Sequence, residues 1–510
     1  MTTLPPLLEL KGITKRFPGV LANDGVDLRV FSGEVHGLLG ENGAGKTTLM
    51  KILYGLYQAD EGEIRVRGQA VKLRSPKDAL AIGIGMVHQH FKLVPTLTVA
   101  ENIVLGIRDR STPFMHLKEV RNRIAQLSWD YGLHVDSRAP VWTLSTGEQQ
   151  RVEILKALYR RAELLILDEP TAVLTPQESQ ALFGTLKHLV DAGLTIIFIT
   201  HKLKEIIAAS RNVSVLRRGK LVVTKPTAQT TKEELAQLMV GRAVLFQVDK
   251  QPCRPGAVAL EVESVEALND RQLPALRGVM FSIRYGEVLG IAGVSGNGQR
   301  ELAEVIAGLR PATAGRIQLD GKDVTNAPVR KLRSLGMAHI PEDRMGQGLA
   351  LPLSIAENMV LDSYRLPEFG RGPFLSHGAI EQRAQQLVES FDVRAPGIHV
   401  PAQQLSGGNL QKVILARELH RQPRVIVANQ PTRGLDVGSC EYVRGKLIEA
   451  RDRGAAVLLI SEDLDEVLDV CDRVVVIYEG CLTMAPPGAD HQLLGLMMAG
   501  EGVPHGPANS

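Results

Sequence analysis

The chain has 510 residues, of which 44% are hydrophobic, so it is long enough for about two to four globular domains with ordinary cores. Its 59 basic and 56 acidic residues leave a net charge of +3, which gives no electrostatic argument for binding nucleic acid. The four cysteines have no CxxC spacing, the amino terminus lacks a signal-peptide pattern, and no apolar run approaches the ~20 residues of a membrane span, so the sequence predicts a soluble intracellular protein with reduced thiols.

The first informative stretch is GENGAGKTT, which follows an apolar run at residues 35–39 and precedes a helix-like segment at residues 47–55. A strand, a glycine-rich loop and a helix in this order are typical of a phosphate-binding P-loop, whose backbone N–H groups surround an anion. Lys46 supplies a positive charge for the outer phosphates, and the Thr47 hydroxyl is a hard oxygen ligand for Mg²⁺. The predicted ATP-binding residues of the loop are Gly40, Glu41, Asn42, Gly43, Ala44, Gly45, Lys46, Thr47 and Thr48.

Two further apolar runs, at residues 164–167 and 195–199, predict buried parallel strands. The first run ends in two carboxylates. Asp168 is predicted to contact the Mg²⁺ site through its outer coordination shell, and Glu169 is predicted to polarise the attacking water as general base. His201 follows the second run, where it is predicted to reach the γ-phosphate, although a lone histidine is more often structural.

Two single residues complete the candidate site of the first half. Gln89, in the segment MVHQHFKLVP, is predicted to coordinate the metal or the attacking water, and Phe17, in KRFPG, is predicted to stack on a base. A lone aromatic side chain is also typical of a core. A helix is predicted at residues 176–192, beginning with a proline, between the last two strands. The alternation of strands and helices predicts an α/β fold with the ligand at the strand ends.

The motifs of the first half return in the second half in the same order. The recurring pairs are Gly40 with Gly293, TVAEN at 98–102 with SIAEN at 354–358, LSTGEQQ at 144–150 with LSGGNLQ at 405–411, and Pro170 with Pro431. Their separation grows only from 253 to 261 residues, so two copies of one domain explain the chain. The predicted domains are residues 7–245 and 258–500, joined by a linker at 246–257 and followed by a disordered tail at 501–510.

The LSGGN segment at residues 405–409 distinguishes the chain from an ordinary P-loop enzyme. Together with the P-loop and the acidic strand end, it resembles the signature of ATP-binding cassette (ABC) ATPases, and the resemblance covers nearly the whole chain. It implies two tandem P-loop NTPase domains, each with a mostly parallel sheet and a helical subdomain. In this family two cassettes pack head to tail, with each ATP between one P-loop and the opposite signature. The contacts so implied between the second copy and the first ATP are Ser406, Gly407, Gly408 and Asp436.

The second copy replaces the chemically active side chains of the first. Its P-loop reads GVSGNGQRE, and the replacements are Gln299 for Lys46, Arg300 for Thr47, Asn429 for Asp168, Gln430 for Glu169 and Glu462 for His201. The resemblance pairs this altered loop with LSTGE at 144–148 and the AVLT turn at 172–175, which also depart from the family pattern. Because the departures fall in one composite site, the sequence predicts one hydrolytic site and one degenerate site.

A tandem pair of this kind resembles the ATPase subunit of bacterial importers for simple sugars or nucleosides. The segments at 144–160, 168–178 and 428–438 are more similar to the nucleoside type, whereas PEDRMGQGL at 341–349 is shared by both branches. The resemblance implies ATP and Mg²⁺ as cofactors, two transmembrane permease subunits, a periplasmic or lipoprotein solute-binding protein, no nucleic acid, and a peripheral position on the cytoplasmic face of the inner membrane. The candidate permease contacts are Phe91, Leu93 and Val94, for which local packing is the alternative.

Three alternative functions are weighed against this one. A sugar importer would use the same ATPase mechanism, but the sugar-type subunits usually keep an acidic pair where this chain has Asn429 and Gln430. A soluble tandem cassette protein acting on ribosomes or DNA would typically carry a long charged linker, zinc cysteines or coiled-coil insertions. A purely regulatory cassette conflicts with the complete first site.

Overall fold

The computed structural model describes residues 5–88, 91–107, 117–171, 174, 176–242, 250–371 and 374–501. The chain divides into two compact units, Met1–Val244 and Leu245–Ser510. The predicted permease contacts lie within the described residues, whereas Gln89, most of the AVLT turn and nearly all of the predicted tail lie outside them. Within the described residues, no helix is both long and apolar enough to span a membrane.

The first unit alternates strands and helices as its sequence predicts. Its strands are β1 Leu8–Phe17, β2 Val20–Val30, β3 Val35–Leu39, β4 Glu61–Val66, β5 Gln69–Val71, β6 Ile84–Val87, β7 Leu164–Asp168, β8 Thr195–Thr200, β9 Asn212–Arg217 and β10 Lys220–Pro226. Its helices are α1 Lys46–Leu53, α2 Pro76–Ala81, α3 Val99–Val104, α4 Leu117–Asp130, α5 Thr146–Tyr159, α6 Pro176–Asp191, α7 Leu203–Ala209 and α8 Lys232–Val240. The three strands and two helices predicted in this half are confirmed, with ends shifted by at most two residues.

Two sheets form the core of the first unit. One is a four-stranded sheet in the order β2-β1-β4-β5, and the other is six-stranded in the order β10-β9-β3-β8-β7-β6. The neighbours from β9 to β6 are parallel, and β10 pairs antiparallel with β9. Strands β3, β7 and β8 are buried along their whole length, which is why their sequences are continuously apolar.

The second unit repeats this arrangement. Its strands are β11 Val258–Leu268, β12 Pro274–Arg284, β13 Val288–Ala292, β14 Ala314–Leu319, β15 Lys322–Asp323, β16 Met337–Ile340, β17 Gly370–Arg371, β18 Phe374–Leu375, β19 Val425–Asn429, β20 Ala456–Ser461, β21 Arg473–Tyr478 and β22 Cys481–Met484. Its helices are α9 Gln299–Ile306, α10 Val329–Ser334, α11 Ile355–Val360, α12 His377–Ser390, α13 Gly407–Leu419, α14 Val437–Asp452, α15 Leu464–Val470 and α16 His491–Met498. The six-stranded order β16-β19-β20-β13-β21-β22 is that of the first unit, so the internal repeat is confirmed.

In each unit a buried cluster fills the space between the two sheets, and in the second unit another cluster packs α11–α16 against the opposite face of the six-stranded sheet. In the first unit, Leu8 and Ile13 of β1, Leu49 of α1, Ile166 of β7 and Ile197 of β8 belong to one buried cluster and are fully buried. Each such side chain stabilises the fold by about 1.5–3 kcal/mol relative to an exposed position. This packing holds β3, β8 and β7 side by side, so that the loops at their carboxyl ends meet at one edge of the sheet.

Candidate nucleotide-binding site

The loop after β3 has a shape that only glycine allows at two positions. A Cβ on Gly40 would lie 2.4 Å from the Leu216 carbonyl oxygen, and a Cβ on Gly45 would lie 2.3 Å from the Ala22 carbonyl oxygen. Gly45 also has a φ of +101°, a left-handed conformation that other residues rarely adopt. Glycine is therefore required at these two positions because the backbone packs closely against both sides of the loop.

Lys46 and Thr47 begin α1 and point toward the loop and the neighbouring strand end. The Lys46 ammonium donates to the carbonyl oxygens of Gly40 at 2.6 Å and Glu41 at 2.9 Å, and the side chain is buried. The Thr47 hydroxyl lies 3.5 Å from a carboxylate oxygen of Asp168 at the end of β7. The P-loop and the strand end, which are more than 120 residues apart, thus lie side by side, and their binding of Mg²⁺ stays a prediction.

Glu169 and His201 form a hydrogen-bonded pair beside these groups. The His201 Nδ1 atom lies 2.8 Å from a Glu169 carboxylate oxygen, and both side chains are partly buried. Burial raises the pKa of Glu169, but the hydrogen bond and charge of His201 outweigh it, so the pKa lies below its usual range. Burial, together with the charge of Glu169, raises the pKa of Asp168 to about 6. The two neighbouring carboxyls therefore have opposite pKa shifts.

A buried polar layer that the sequence did not reveal supports the ends of β7 and β8. The Glu205 carboxylate accepts hydrogen bonds from the Thr171 hydroxyl at 2.5 Å and the Thr200 hydroxyl at 2.8 Å. The Lys202 ammonium lies 3.2 Å from the same carboxylate. Glu205 therefore connects Thr171 and Thr200, which flank the candidate site, to α7. In the sequence, the one sign of this contact was an acidic residue four positions after His201.

Phe17 lies at the end of β1 with 37% of its surface exposed. Its ring meets the ring of Tyr57 edge-on at 5.5 Å, and the Lys15 ammonium lies 5.6 Å from the ring centre. The ring has solvent access and an aromatic neighbour, so its predicted contact with a base stays a prediction.

The signature and the following turn lie together in the second unit. Ser406 is the residue before α13, so the LSGGN segment opens a helix as predicted. Asp436 caps α14, accepting the Ser439 backbone N–H at 2.8 Å. A Cβ on Gly408 would lie 2.4 Å from the Ser439 hydroxyl, so the glycine allows α13 and α14 to begin in contact. Ser406, Gly407, Gly408 and Asp436 are thus grouped on the second unit, and their contact with ATP stays a prediction.

The second unit keeps the backbone of the first site with other side chains. Asn429 ends β19, and its Oδ1 atom is buried without a hydrogen-bond partner among the described residues. The Gln430 amide oxygen accepts the Glu462 backbone N–H at 3.2 Å. The five replaced positions therefore present amides, a guanidinium and one carboxylate where the first unit presents an ammonium, a hydroxyl, two carboxylates and an imidazole.

Comparison with known families identifies this architecture. The family model described as ABC transporter matches residues 23–172 and 276–433, which together make up more than half of the chain. The chain belongs to the ABC transporter family. Both units are ABC ATPase domains, and the chain is a tandem ATP-binding protein and an ATPase, as the sequence resemblance implied.

Three curated relatives match this ABC ATPase over nearly its full length. A glucose import ATP-binding protein of Haloferax volcanii is 50% identical, with 98% of this chain and 97% of that protein covered. A nucleoside import ATP-binding protein of Lactococcus lactis is 46% identical, with 98% and 99% covered. A guanosine import ATP-binding protein of Bacillus subtilis is 47% identical, with 97% of each chain covered.

Two buried asparagines of this ABC ATPase have a structural role that the sequence did not show. Asn102, in TVAEN, accepts the Val94 backbone N–H at 2.7 Å and donates to the Val94 carbonyl at 3.1 Å. Asn358, in SIAEN, makes the same pair of bonds to Ala350, both at 2.9 Å. Each asparagine therefore fixes the segment before its helix, and the repeated AEN motif was the available signal.

Proposed function

We propose that this chain is the ATP-hydrolysing subunit of an importer for nucleosides, with one competent and one degenerate ATP site. The observation that supports import is the full-length similarity to proteins named import ATP-binding proteins. Two of these three relatives are named for nucleosides or guanosine, and the segments at 144–160, 168–178 and 428–438 resemble the nucleoside type.

The first P-loop is the proposed binding site for ATP and Mg²⁺. The Thr47 hydroxyl and the Asp168 carboxylate lie 3.5 Å apart, and both are the hard oxygen groups that Mg²⁺ prefers. These residues fit the ion, with Gln89 as the third proposed ligand. Bound Mg²⁺ would neutralise charge on the phosphates. The Lys46 ammonium, which here donates to the Gly40 and Glu41 carbonyl oxygens, is the proposed cation for the outer phosphates.

Glu169 is the proposed general base. Its carboxylate would accept a proton from the water that attacks the γ-phosphate. The 2.8 Å contact with His201 Nδ1 limits the rotation of that carboxylate and holds it at the sheet edge. Beneath the pair, Glu205 holds Thr171 and Thr200 by hydrogen bonds, so the backbone on either side of the active groups is fixed.

The proposed competent site is completed by the second cassette. The family arrangement places Ser406, Gly407, Gly408 and Asp436 on the γ-phosphate side of the first ATP. Ser406 opens α13 and Asp436 caps α14, so backbone N–H groups at two helix starts are available to an anion. The opposite composite site has an amide at each position where the first site has a carboxylate, so we propose that it does not hydrolyse ATP.

The proposed partners are two transmembrane permease subunits and a solute-binding protein, with this chain on the cytoplasmic face of the inner membrane. The described part of the segment after Gln89 supports a docking role. Phe91 and Leu93 are half-buried, and Val94 is 37% exposed. Asn102 of α3 is hydrogen-bonded to the backbone of Val94, so a force applied to this segment would be transmitted to α3.

Import of a simple sugar is the second candidate function. The observation that favours it is the 50% identity to a glucose import protein, against 46% and 47% for the two nucleoside-type relatives. The ATPase mechanism is the same for both candidates, so only the transported solute distinguishes them.

Solute uptake by a strain that lacks this chain tests both candidates. Labelled nucleosides, ribose and glucose are offered to the deletion strain, to the strain carrying the wild-type chain, and to the strain carrying Glu169→Gln. We expect loss of nucleoside uptake that only the wild-type chain restores. Loss of sugar uptake alone would assign the chain to the sugar branch. Unchanged uptake of every solute would contradict the importer proposal.

A further inference from the structure

The second P-loop, residues 293–301, is capped by one of its own side chains. The Gln299 amide nitrogen donates to the Val294 carbonyl oxygen at 2.7 Å, and the Gln299 amide oxygen accepts the Asn297 backbone N–H at 3.0 Å. Gln299 is 5% exposed, and a Cβ on Gly293 would lie 2.6 Å from its amide nitrogen. The amide therefore closes a ring of hydrogen bonds inside the loop.

Asn297 reinforces this ring. Its side-chain nitrogen also donates to the Val294 carbonyl at 3.0 Å, and its side-chain oxygen accepts the Glu479 backbone N–H at 2.9 Å. In the first loop Ala44 occupies the equivalent position and has no polar side chain. Its backbone N–H donates instead to the Glu41 carbonyl at 3.1 Å. The Asn297 amide thus ties the second loop internally and to the turn after β21.

Lys46 in the first P-loop and Gln299 in the second differ in how they can interact with a phosphate. Lys46 also contacts carbonyl oxygens of its own loop, but its ammonium is a cation and forms stronger, charge-assisted hydrogen bonds with phosphate oxygens. Gln299 is neutral, and its oxygen holds the N–H of Asn297 that a phosphate would otherwise accept. A phosphate that accepts the Asn297 N–H must therefore displace the Gln299 amide oxygen, and it gains no positive charge in exchange.

Arg300 does not replace the missing cation. Its Nε atom donates to Glu304 at 2.8 Å, and its Nη1 atom lies 3.4 Å from Asp270. Arg310 bridges the same two carboxylates, at 2.8 Å and 2.6 Å. The guanidinium that occupies the position of the magnesium-binding hydroxyl is therefore engaged in an ion cluster with Asp270, Glu304 and Arg310.

We infer that Gln299 closes the second P-loop to the phosphates of ATP, so that the chain holds a single MgATP, at the first P-loop. This inference rests on the proposed function, because it takes the first P-loop as the site that binds MgATP. Loss of the lysine contact and of the magnesium contact together weakens binding at the second loop by on the order of 100-fold.

Nucleotide stoichiometry of the full chain tests this inference. ATP and Mg²⁺ are equilibrated by dialysis with the Glu169→Gln chain, in which hydrolysis is blocked, at an ATP concentration about tenfold above the dissociation constant of the tight site. We expect one ATP per chain, and no bound ATP after Lys46→Ala is added. Two ATP per chain, or one ATP retained by the Lys46→Ala chain, would overturn the inference. Persistent hydrolysis by Glu169→Gln would instead contradict the proposed function.

Two matched variants assign the closure to Gln299. The double variant Gln299→Lys with Arg300→Thr restores both lost groups, and we expect it to bind two ATP per chain. Arg300→Thr alone keeps the amide cap, and we expect one. Retained ATP at the first P-loop shows in each case that the variant is folded. One ATP in the double variant, or two in Arg300→Thr alone, would show that Gln299 is not what closes the loop.

Discussion

The ends of β7 and β19 have the same backbone and opposite chemistry. Glu169 and Gln430 both follow their strands with a left-handed φ, +47° and +48°, and each backbone N–H donates to an isoleucine carbonyl of the neighbouring strand, at 3.0 Å and 2.8 Å. The glycines before α1 and α9 agree as closely, with φ of +101° and +105°. The conformation is therefore set by strand ends and close backbone contacts, which survive after the side-chain chemistry has changed.

The second cassette therefore differs from the first in its side chains more than in its backbone. The second cassette keeps the left-handed residue after β19 and the left-handed glycine before α9, which correspond to those after β7 and before α1 in the first. What it lacks is the set of side chains proposed to act on a phosphate, namely the general base, the metal-binding oxygens and the lysine ammonium. Substitutions of the proposed catalytic and metal-binding residues should therefore affect activity more than substitutions at the equivalent positions of the second cassette.

The largest difference is expected at the pair Glu169 and Gln430. Glu169→Gln removes the proposed base while keeping its shape, so we expect ATP hydrolysis to fall by about 10²- to 10⁴-fold. Gln430→Ala in the second cassette should leave hydrolysis nearly unchanged, because no base is present there. Steady-state phosphate release by the purified chain measures both. Normal turnover by Glu169→Gln, or a large loss in Gln430→Ala, would reverse the assignment of the two sites.

A smaller difference is expected at Thr47 and Arg300, which begin α1 and α9 at equivalent positions. Thr47→Ala removes a proposed magnesium ligand, so the Mg²⁺ concentration for half-maximal hydrolysis should rise by about 10-fold or more. Arg300→Ala breaks only the ion cluster of the second cassette and should leave that concentration unchanged. A magnesium titration of hydrolysis decides the point, and equal shifts in the two variants would contradict a single metal site.

The buried acids of α7 and α15, Glu205 and Glu466, are expected to affect the free energy of unfolding differently. Glu205 accepts two hydroxyl hydrogen bonds and has Lys202 3.2 Å away. Glu466 accepts one from Ser461 at 2.6 Å, and the Thr432 hydroxyl, at the position of Thr171, lowers its pKa without forming a hydrogen bond of normal geometry to the other oxygen. Burial raises the pKa of Glu466 to about 7, against the lowering effect of Arg444. The same buried acid is therefore better satisfied in the first cassette.

This difference predicts a pH-dependent stability. Because the folded pKa of Glu466 lies above its unfolded value of 4.5, the folded state retains a proton that the unfolded state loses, and stability falls as pH rises from about 4.5 to 7. Glu466→Gln removes this loss, so the variant should be more stable than the wild type at pH 8 by up to about 3 kcal/mol. Denaturant unfolding at pH 5 and pH 8 measures it. A variant that gains nothing at pH 8 would contradict the raised pKa.

The sequence predicted those parts of the molecule that depend on local patterns. The P-loop, the strands that end in Asp168 and before His201, and the helix opened by LSGGN were all visible because each is specified by a few consecutive residues. The repeated order of motifs then predicted that the second half of the chain has the same fold as the first. The contact between Thr47 and Asp168 followed, because carboxyl ends of neighbouring parallel strands share one edge of the sheet.

The contacts that were missed join residues only two to eight positions apart, through side-chain hydrogen bonds to the backbone. The sequence showed that Gln299 replaces a lysine, but not that its amide would bond Val294 and Asn297. It showed the repeated AEN motif, but not that Asn102 holds the backbone of Val94. Such bonds depend on where a turn places its carbonyl groups, which a single sequence does not specify.

A charge-swapped pair gives the smallest expected effect. In the first cassette Arg67, after β4, pairs with Glu163, before β7. In the second, Asp320 takes the place of the arginine and Arg424 that of the glutamate, with 2.7 Å between them. The positions correspond in the repeat, and each pair joins the antiparallel sheet to the six-stranded sheet. Both positions therefore form an ion pair in each cassette, but the positive and negative residues have exchanged places.

The first pair is exposed on both sides, at 56% and 57%, so reversing Arg67 alone should destabilise the chain by less than about 1 kcal/mol. The combined reversal, Arg67→Asp with Glu163→Arg, recreates the order of the second cassette and should recover most of that loss. Arg424→Glu should cost more, because Asp320 also accepts the Tyr285 hydroxyl at 2.5 Å, and Arg424 lies 5.2 Å from the Tyr285 ring. A double-mutant cycle by denaturant unfolding measures each coupling. If the reversed pair in the first cassette recovers nothing, the two ion pairs are not equivalent, and their correspondence in the repeat reflects position without a shared electrostatic role.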